Sequence, residues 1–172
     1  MPHIPATAAW TRCTACCVIA LLMTGCAFER EWQAAQSYAY PEHELAGCWD
    51  GSWQSDSSSR QGDLRAIITK EGAGAYHAHF KATHATGIPF EFDTPLLVTD
   101  DGSVYTFESE ADLGWLAGGL YNCEGMANGS DFDADFRVSN GNHGSFRMQK
   151  LPSCVQNCSP VASVIDEPPP SS

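Results

Sequence analysis

Residues 47–151 predict an all-β domain of eight antiparallel strands, closed as a barrel or packed as two four-stranded sheets. Three observations lead there. From Gly47 onward, apolar residues recur at every second position in eight short runs, the period of a strand with one buried face. The runs are separated by turn chemistry such as Glu71-Gly-Ala-Gly74, Asp100-Asp-Gly102 and Asn140-Gly-Asn142. Part of the pattern also repeats at an offset of 56 residues, as an internal duplication would.

The first run, Trp49–Ser55, places Trp49, Gly51 and Trp53 on one face. The second, 63–70, aligns Leu64, Ala66 and Ile68. The third, 75–83, aligns Tyr76, Ala78 and Phe80, and the fourth, 89–99, aligns Phe90, Phe92, Leu96 and Val98. The fifth and sixth cover 103–109 and 119–125, with Leu120 read as inward. The seventh, 131–139, aligns Phe132, Ala134, Phe136 and Val138, and the eighth, 144–151, aligns Phe146 and Met148. Pro95 has no N–H for a ladder and belongs at an edge, a bulge or a strand break.

Under the 56-residue offset, Gly62-Asp-Leu64 falls on Gly118-Gly-Leu120, Tyr76–Thr83 on Phe132–Ser139, and Phe90-Glu-Phe92 on Phe146-Arg-Met148. Inward positions keep their type, while outward ones drift, His77 and His79 becoming Asp133 and Asp135. The domain then reads as two similar four-stranded halves. Eight strands enclose an interior that side chains can just fill, and the inward positions are rich in large rings, so a filled core is predicted.

Gly47-Cys-Trp49 at the start of the first run resembles the Gly-x-Trp of lipocalins and related calycin barrels. The resemblance implies a basic residue of the last strand lying over that Trp, and Arg147 is the candidate. The wider pattern over residues 47–148, with Gly-x-Leu, Tyr-x-Ala-x-Phe and Pro-Phe, resembles a bacterial secreted family and brings no activity with it.

Ahead of the domain, Arg12 is followed by the uncharged run Cys13–Met23, whose length suits the apolar part of an export signal. Met23-Thr-Gly-Cys26 resembles the lipobox of bacterial lipoproteins. That likeness implies a signal peptide over 1–25, cleavage before Cys26, and a diacylglyceryl thioether and palmitate-type acyl chains on Cys26. The protein is then held in the outer or cytoplasmic membrane, facing away from the cytoplasm, because several buried chains anchor stably. Residues 26–46 read as a short helix or a tether, and 152–172 as a Cys-, Pro- and Ser-containing tail, disordered toward its end.

The chain carries a formal charge of −12, and all 21 of its acidic residues follow Cys26. This excludes a nucleic-acid partner, whose phosphates need a basic face, and disfavours adhesion to anionic headgroups by charge. Beyond the signal and Cys26, four cysteines remain. Cys48, Cys123, Cys154 and Cys158 are disulfide candidates in an exported chain. Alternation points Cys48 and Cys123 away from the core, where each could pair with Cys154 or Cys158.

No catalytic set emerges, and no cofactor or metal is predicted. His77 and His79 share a face without a third fixed ligand. Asp131, Asp133 and Asp135 lack the Gly and closing Glu of a calcium loop. His143-Gly-Ser145 has no nucleophile elbow around it, and Asp50 and Glu124 have no visible partner. Two non-enzymatic functions are left: an envelope lipoprotein acting by protein or envelope contacts, and a calycin-like carrier of a small apolar ligand. A filled core favours the first.

Overall fold

The computed structural model describes residues 27–84, 87, 89–114 and 119–152. The segment read as an export signal, Cys26, Cys154 and Cys158 lie outside the described residues. Eight strands form a closed antiparallel barrel in chain order, β8 pairing back onto β1. They are β1 (Gly47–Ser55), β2 (Gln61–Gly72), β3 (Ala75–His84), β4 (Pro89–Asp100), β5 (Tyr105–Asp112), β6 (Leu120–Ala127), β7 (Asp131–Val138) and β8 (His143–Lys150). A helix over 27–36, α1, precedes them.

The period-two pattern places the core as read in six strands, β1 to β4, β7 and β8. Trp49, Trp53, Leu64, Ala66, Ile68, Tyr76, Ala78, Phe80, Phe92, Leu96, Phe132, Ala134, Phe136, Phe146 and Met148 are buried inside, with Val98 and Val138 packed at the margins. Phe90 shares their face but stands at the end of its strand and is 41% exposed. The strong coiling that closes the barrel needs a side-chain-free position on β1. A Cβ on Gly51 would lie 2.0 Å from the Arg147 carbonyl oxygen across the β1–β8 junction.

β6 corrects the sequence reading. Tyr121, Cys123 and Ala127 face inward, while Leu120 is 40% exposed. The cause is a bulge between Lys70 and Gly72 in β2. Beside the turn, Gly72 pairs with Ala75, which matches the spacing of the β6–β7 hairpin, where Ala127 pairs with Phe132. Beyond the bulge β2 runs one residue out of step with β6, and a one-residue slip exchanges the two faces of a strand. The 56-residue correspondence therefore holds for the facing of β3 with β7 and of β4 with β8, and fails for β2 with β6.

Of the two readings of residues 26–46, a short helix or a tether, the helix forms over 27–36 and is packed. Phe28, Trp32 and Ala35, at i, i+4 and i+7, form the apolar stripe of α1. It seals Cys48 and Ile67 on the outer face of β1 and β2, forming a second cluster outside the barrel. Residues 40–46 then turn under the barrel and bury Leu45 and Ala46 against the core. This makes a capped end, which also carries the β2–β3, β4–β5 and β6–β7 turns. The opposite, loop end carries the connections after β1, β3, β5 and β7.

Candidate functional site

The interior is layered by aromatic rings. At the capped end, Phe107 stacks on Phe132 with centroids 4.6 Å apart, and Trp49 meets Phe132 at 5.7 Å. Toward the loop end, Phe80 stacks on Phe92 at 5.0 Å and Phe136 on Phe146 at 5.0 Å, with Phe80 and Phe146 joining the two pairs at 5.8 Å. Tyr121 contacts Phe92, Phe136 and Phe146. Rings at these separations are in direct contact and occupy the axis.

Two polar features interrupt this core. The β4–β5 ladder runs only from Leu97 and Glu108 to Asp100 and Tyr105. It stops short of Pro95, which has no N–H to offer. Inside this gap the buried hydroxyls of Thr94 and Ser109 meet at 2.5 Å. Nearby on β6, the hydroxyl of Tyr121 is buried with the Cys123 thiol beside it. Burial pushes its pKa well above the ordinary range, and it pushes the neighbouring Cys123 thiol up to about 11.

The capped end is held by the residues the calycin resemblance points to, with one substitution. Trp49 Nε1 donates to the Leu45 carbonyl at 3.0 Å. Lys150, not Arg147, supplies the cation 5.9 Å from the Trp49 ring centroid, and it donates to the carbonyls of Pro41 and Glu44. Arg147 points outward and faces Asp133 at 3.6 Å. Lys150 keeps the parity of Phe146 and Met148, so the inward phase of β8 continues to its last residue. Gly47 is required here: its φ is +148°, and an added Cβ would sit 2.7 Å from Lys150 Cε.

The outer wall divides into two. On β1–β3, α1 covers a cationic patch: Glu29 accepts from Arg65 at 2.5 Å and from Lys81 at 3.0 Å. The hydrogen bonds from Arg65 and then Lys81 hold the Glu29 carboxyl down at about 2. Phe28 lies within cation–π distance of both cations, at 5.4 and 5.2 Å. His79 pairs with Glu31 at 2.8 Å and stands edge-on to Phe28, while His77 faces Asp93 at 3.5 Å. The two histidines are thus engaged separately. On β5–β7 nothing covers the wall among the described residues. Glu108, Glu110, Glu124, Asp133 and Asp135 project outward, with exposed Leu97 and Met126 among them. A shallow groove of about 460 Å³ runs here between Pro95, Leu97, Asn122 and Arg137.

The remaining candidates are dispersed. Asp131 caps the β6–β7 turn with Asn128 and Ser130, and Glu124 pairs with Arg137 at 3.2 Å. His143 Nδ1 lies 3.2 Å from the Gly141 carbonyl, away from any nucleophile arrangement. Among the described residues no group of three His, Cys, Asp or Glu side chains gathers around a point where a metal could sit. Cys123, read as outward, is a free thiol inside the barrel. Cys48 faces outward as read, but under α1.

No protein-family model matches the chain, and no curated protein does. Two designed proteins are similar in structure. A de novo designed fluorescence-activating β-barrel is 18% identical, with a TM-score of 0.46 over 69% of this chain and 97% of its own. A redesigned β-barrel, mFAP1, bound to DFHBI, is 12% identical, with a TM-score of 0.48 over 62% of this chain and 94% of its own.

Proposed function

We propose that this chain is a lipid-anchored envelope protein that acts by surface contact, with no catalytic step and no cofactor. Its acyl chains sit on Cys26, and the barrel is a rigid body displayed on the non-cytoplasmic side of the membrane. The observation that carries the contact reading is the pair of ring clusters inside the barrel, Trp49, Phe107 and Phe132 at the capped end and Phe80, Phe92, Tyr121, Phe136 and Phe146 toward the loop end. Rings that occupy both ends of the interior take up the space an apolar ligand would need.

The carrier reading has one observation in its favour, the buried hydroxyl of Tyr121, whose polar neighbour is the weakly accepting Cys123 thiol, so that a bound oxygen acceptor would serve it better. Native mass spectrometry of the full chain, released gently from its own membrane, separates the two. The contact reading requires the mass of the acylated chain alone. A stoichiometric apolar adduct, lost in Phe80→Ser and in Tyr121→Phe, would establish a carrier instead.

A further inference from the structure

We infer that the outer wall of β5–β7 is the contact surface, and that it takes a basic amphipathic helix of a partner protein. This rests on the contact reading and adds to it the face and the chemistry of the partner. The register of the strands sets three carboxylates side by side. Leu97 stands opposite Glu108, Glu108 opposite Glu124, and Glu124 opposite Asp135. One row thus crosses β4 to β7, and all four side chains point outward. Like charges directly opposite each other weaken a sheet. Only Glu124 is relieved, by Arg137 at 3.2 Å, and both side chains of that pair are mostly exposed, which keeps it weak. Among the described residues Glu108 and Asp135 enter no ion pair, and neither does Glu110, which stands opposite Asn122 beside the row.

The wall also offers apolar footholds. Leu97 closes one end of the row, and Met126 follows Glu124 by two residues on the same face. They are the two most exposed large apolar side chains on the described strands, at 61% and 57%. The shallow groove follows the row, with Glu108, Glu124 and Asp135 along it. The opposite wall shows what covers a surface of this kind. There α1 applies an apolar stripe and sets Glu29 and Glu31 against Arg65, Lys81 and His79. The wall of β5–β7 fits the same device with the charges reversed.

Spacing agrees with charge. Neighbouring strands lie about 4.8 Å apart, and successive positions on one helix face, i, i+4 and i+7, are separated by about 5–6 Å. A helix laid along the row therefore brings one cation to each carboxylate, with apolar neighbours toward Leu97 and Met126. This chain cannot supply that helix. Outside the described residues it holds a single Lys or Arg, Arg12, and a second copy brings the same net charge of −12. The helix therefore belongs to a different protein, and opposite charge steers the two together.

The test uses the full chain, labelled with nitrogen-15, in micelles of a neutral maltoside, and three synthetic peptides. One carries lysines at i, i+4 and i+7 with leucines beside them, one carries glutamates in place of the lysines, and one scrambles the lysine peptide. The lysine peptide should shift the amide signals of Glu108, Glu124 and Asp135 saturably. Glu108→Gln, Glu124→Gln and Asp135→Asn together should weaken its binding about tenfold. Leu97→Ala with Met126→Ala should weaken it as well. Glu42→Gln, Asp50→Asn and Glu71→Gln remove the same charge from exposed sites elsewhere and should change it less than about twofold. No shifts, shifts centred off the wall, or equal losses in the two triple variants overturn the wall as the contact surface. Equal binding of the scrambled peptide overturns the helix, and equal binding of the glutamate peptide overturns the charge match. Each of these outcomes leaves the contact reading standing, because what overturns that reading is the stoichiometric apolar adduct in native mass spectrometry.

Discussion

The two sides of the barrel wall are built from strands of the same period, yet one is covered and the other bare. On β1–β3 the outward positions include buried Cys48 and Ile67 and the cations Arg65 and Lys81, and α1 lies over them. On β5–β7 the outward positions are Glu108, Glu110, Glu124, Asp133 and Asp135, exposed to solvent. Inward residues report the sheet, whereas outward residues report what lies against it. An apolar outward residue such as Ile67 has no reason to persist on a bare wall. A column of carboxylates could not be covered without cations to match them.

The largest test of this contrast is Phe28→Ala. Removing a fully buried ring should cost about 3–5 kcal/mol in urea unfolding, because the cavity under α1 cannot collapse. Met126→Ala on the bare wall should stay within about 0.5 kcal/mol. Comparable losses at the two sites would show that the helix is not a true part of the fold. Next comes Lys81→Ala. Lys81 is buried between Glu29, Glu91 and the Phe28 ring, so its loss strands carboxylates and should cost about 2 kcal/mol, where Arg147→Ala should cost less than about 1.

Acid should separate the walls more gently. The folded-state pKa of Glu29 lies below its ordinary value of 4.5, at about 2. Its contribution is therefore complete above pH 4.5 and is lost as the pH falls toward 2. Near-ultraviolet circular dichroism, which senses Trp32 against Arg65, should change in that window, and Glu29→Gln should remove that part of the change. The smallest effect concerns Cys123. With a pKa of about 11 and the barrel wall around it, it should resist alkylation at pH 8, where about one thiol in a thousand is ionised. Peptide mapping should find it modified only after denaturation. Rapid labelling in the native protein would mean that the β4–β5 gap admits solvent.

Much of this was legible in the residues. Large inward rings at strict spacing in β3, β7 and β8 leave one choice of face. β6 was not legible because apolar residues occur in both phases, Leu120 and Met126 against Tyr121, Cys123 and Ala127. The bulge that settles its relation to β2 leaves no mark beyond Glu71-Gly72. Arg147 drew attention by its chemistry, whereas parity pointed to Lys150. The docking of α1 was written in two places that inform only together, the Phe28, Trp32, Ala35 stripe and the outward Ile67. Neither specifies the other without the fold that joins them.

A closed cylinder has no terminal strand to peel, so its unfolding must begin by breaking a joint. Here the joint is marked in advance. The β4–β5 ladder is short, and the rest of that junction is a single hydroxyl pair, Thr94 with Ser109, whereas β8 and β1 pair along most of their length. Opening there yields one continuous eight-stranded sheet with β4 and β5 as its edges, and the two halves of the sequence remain joined through β8 and β1. Amide protons of Asp93 and Glu110 should then exchange with deuterium ahead of those of Gly51 and Phe146, by a sub-global opening that leaves the α1-covered side intact.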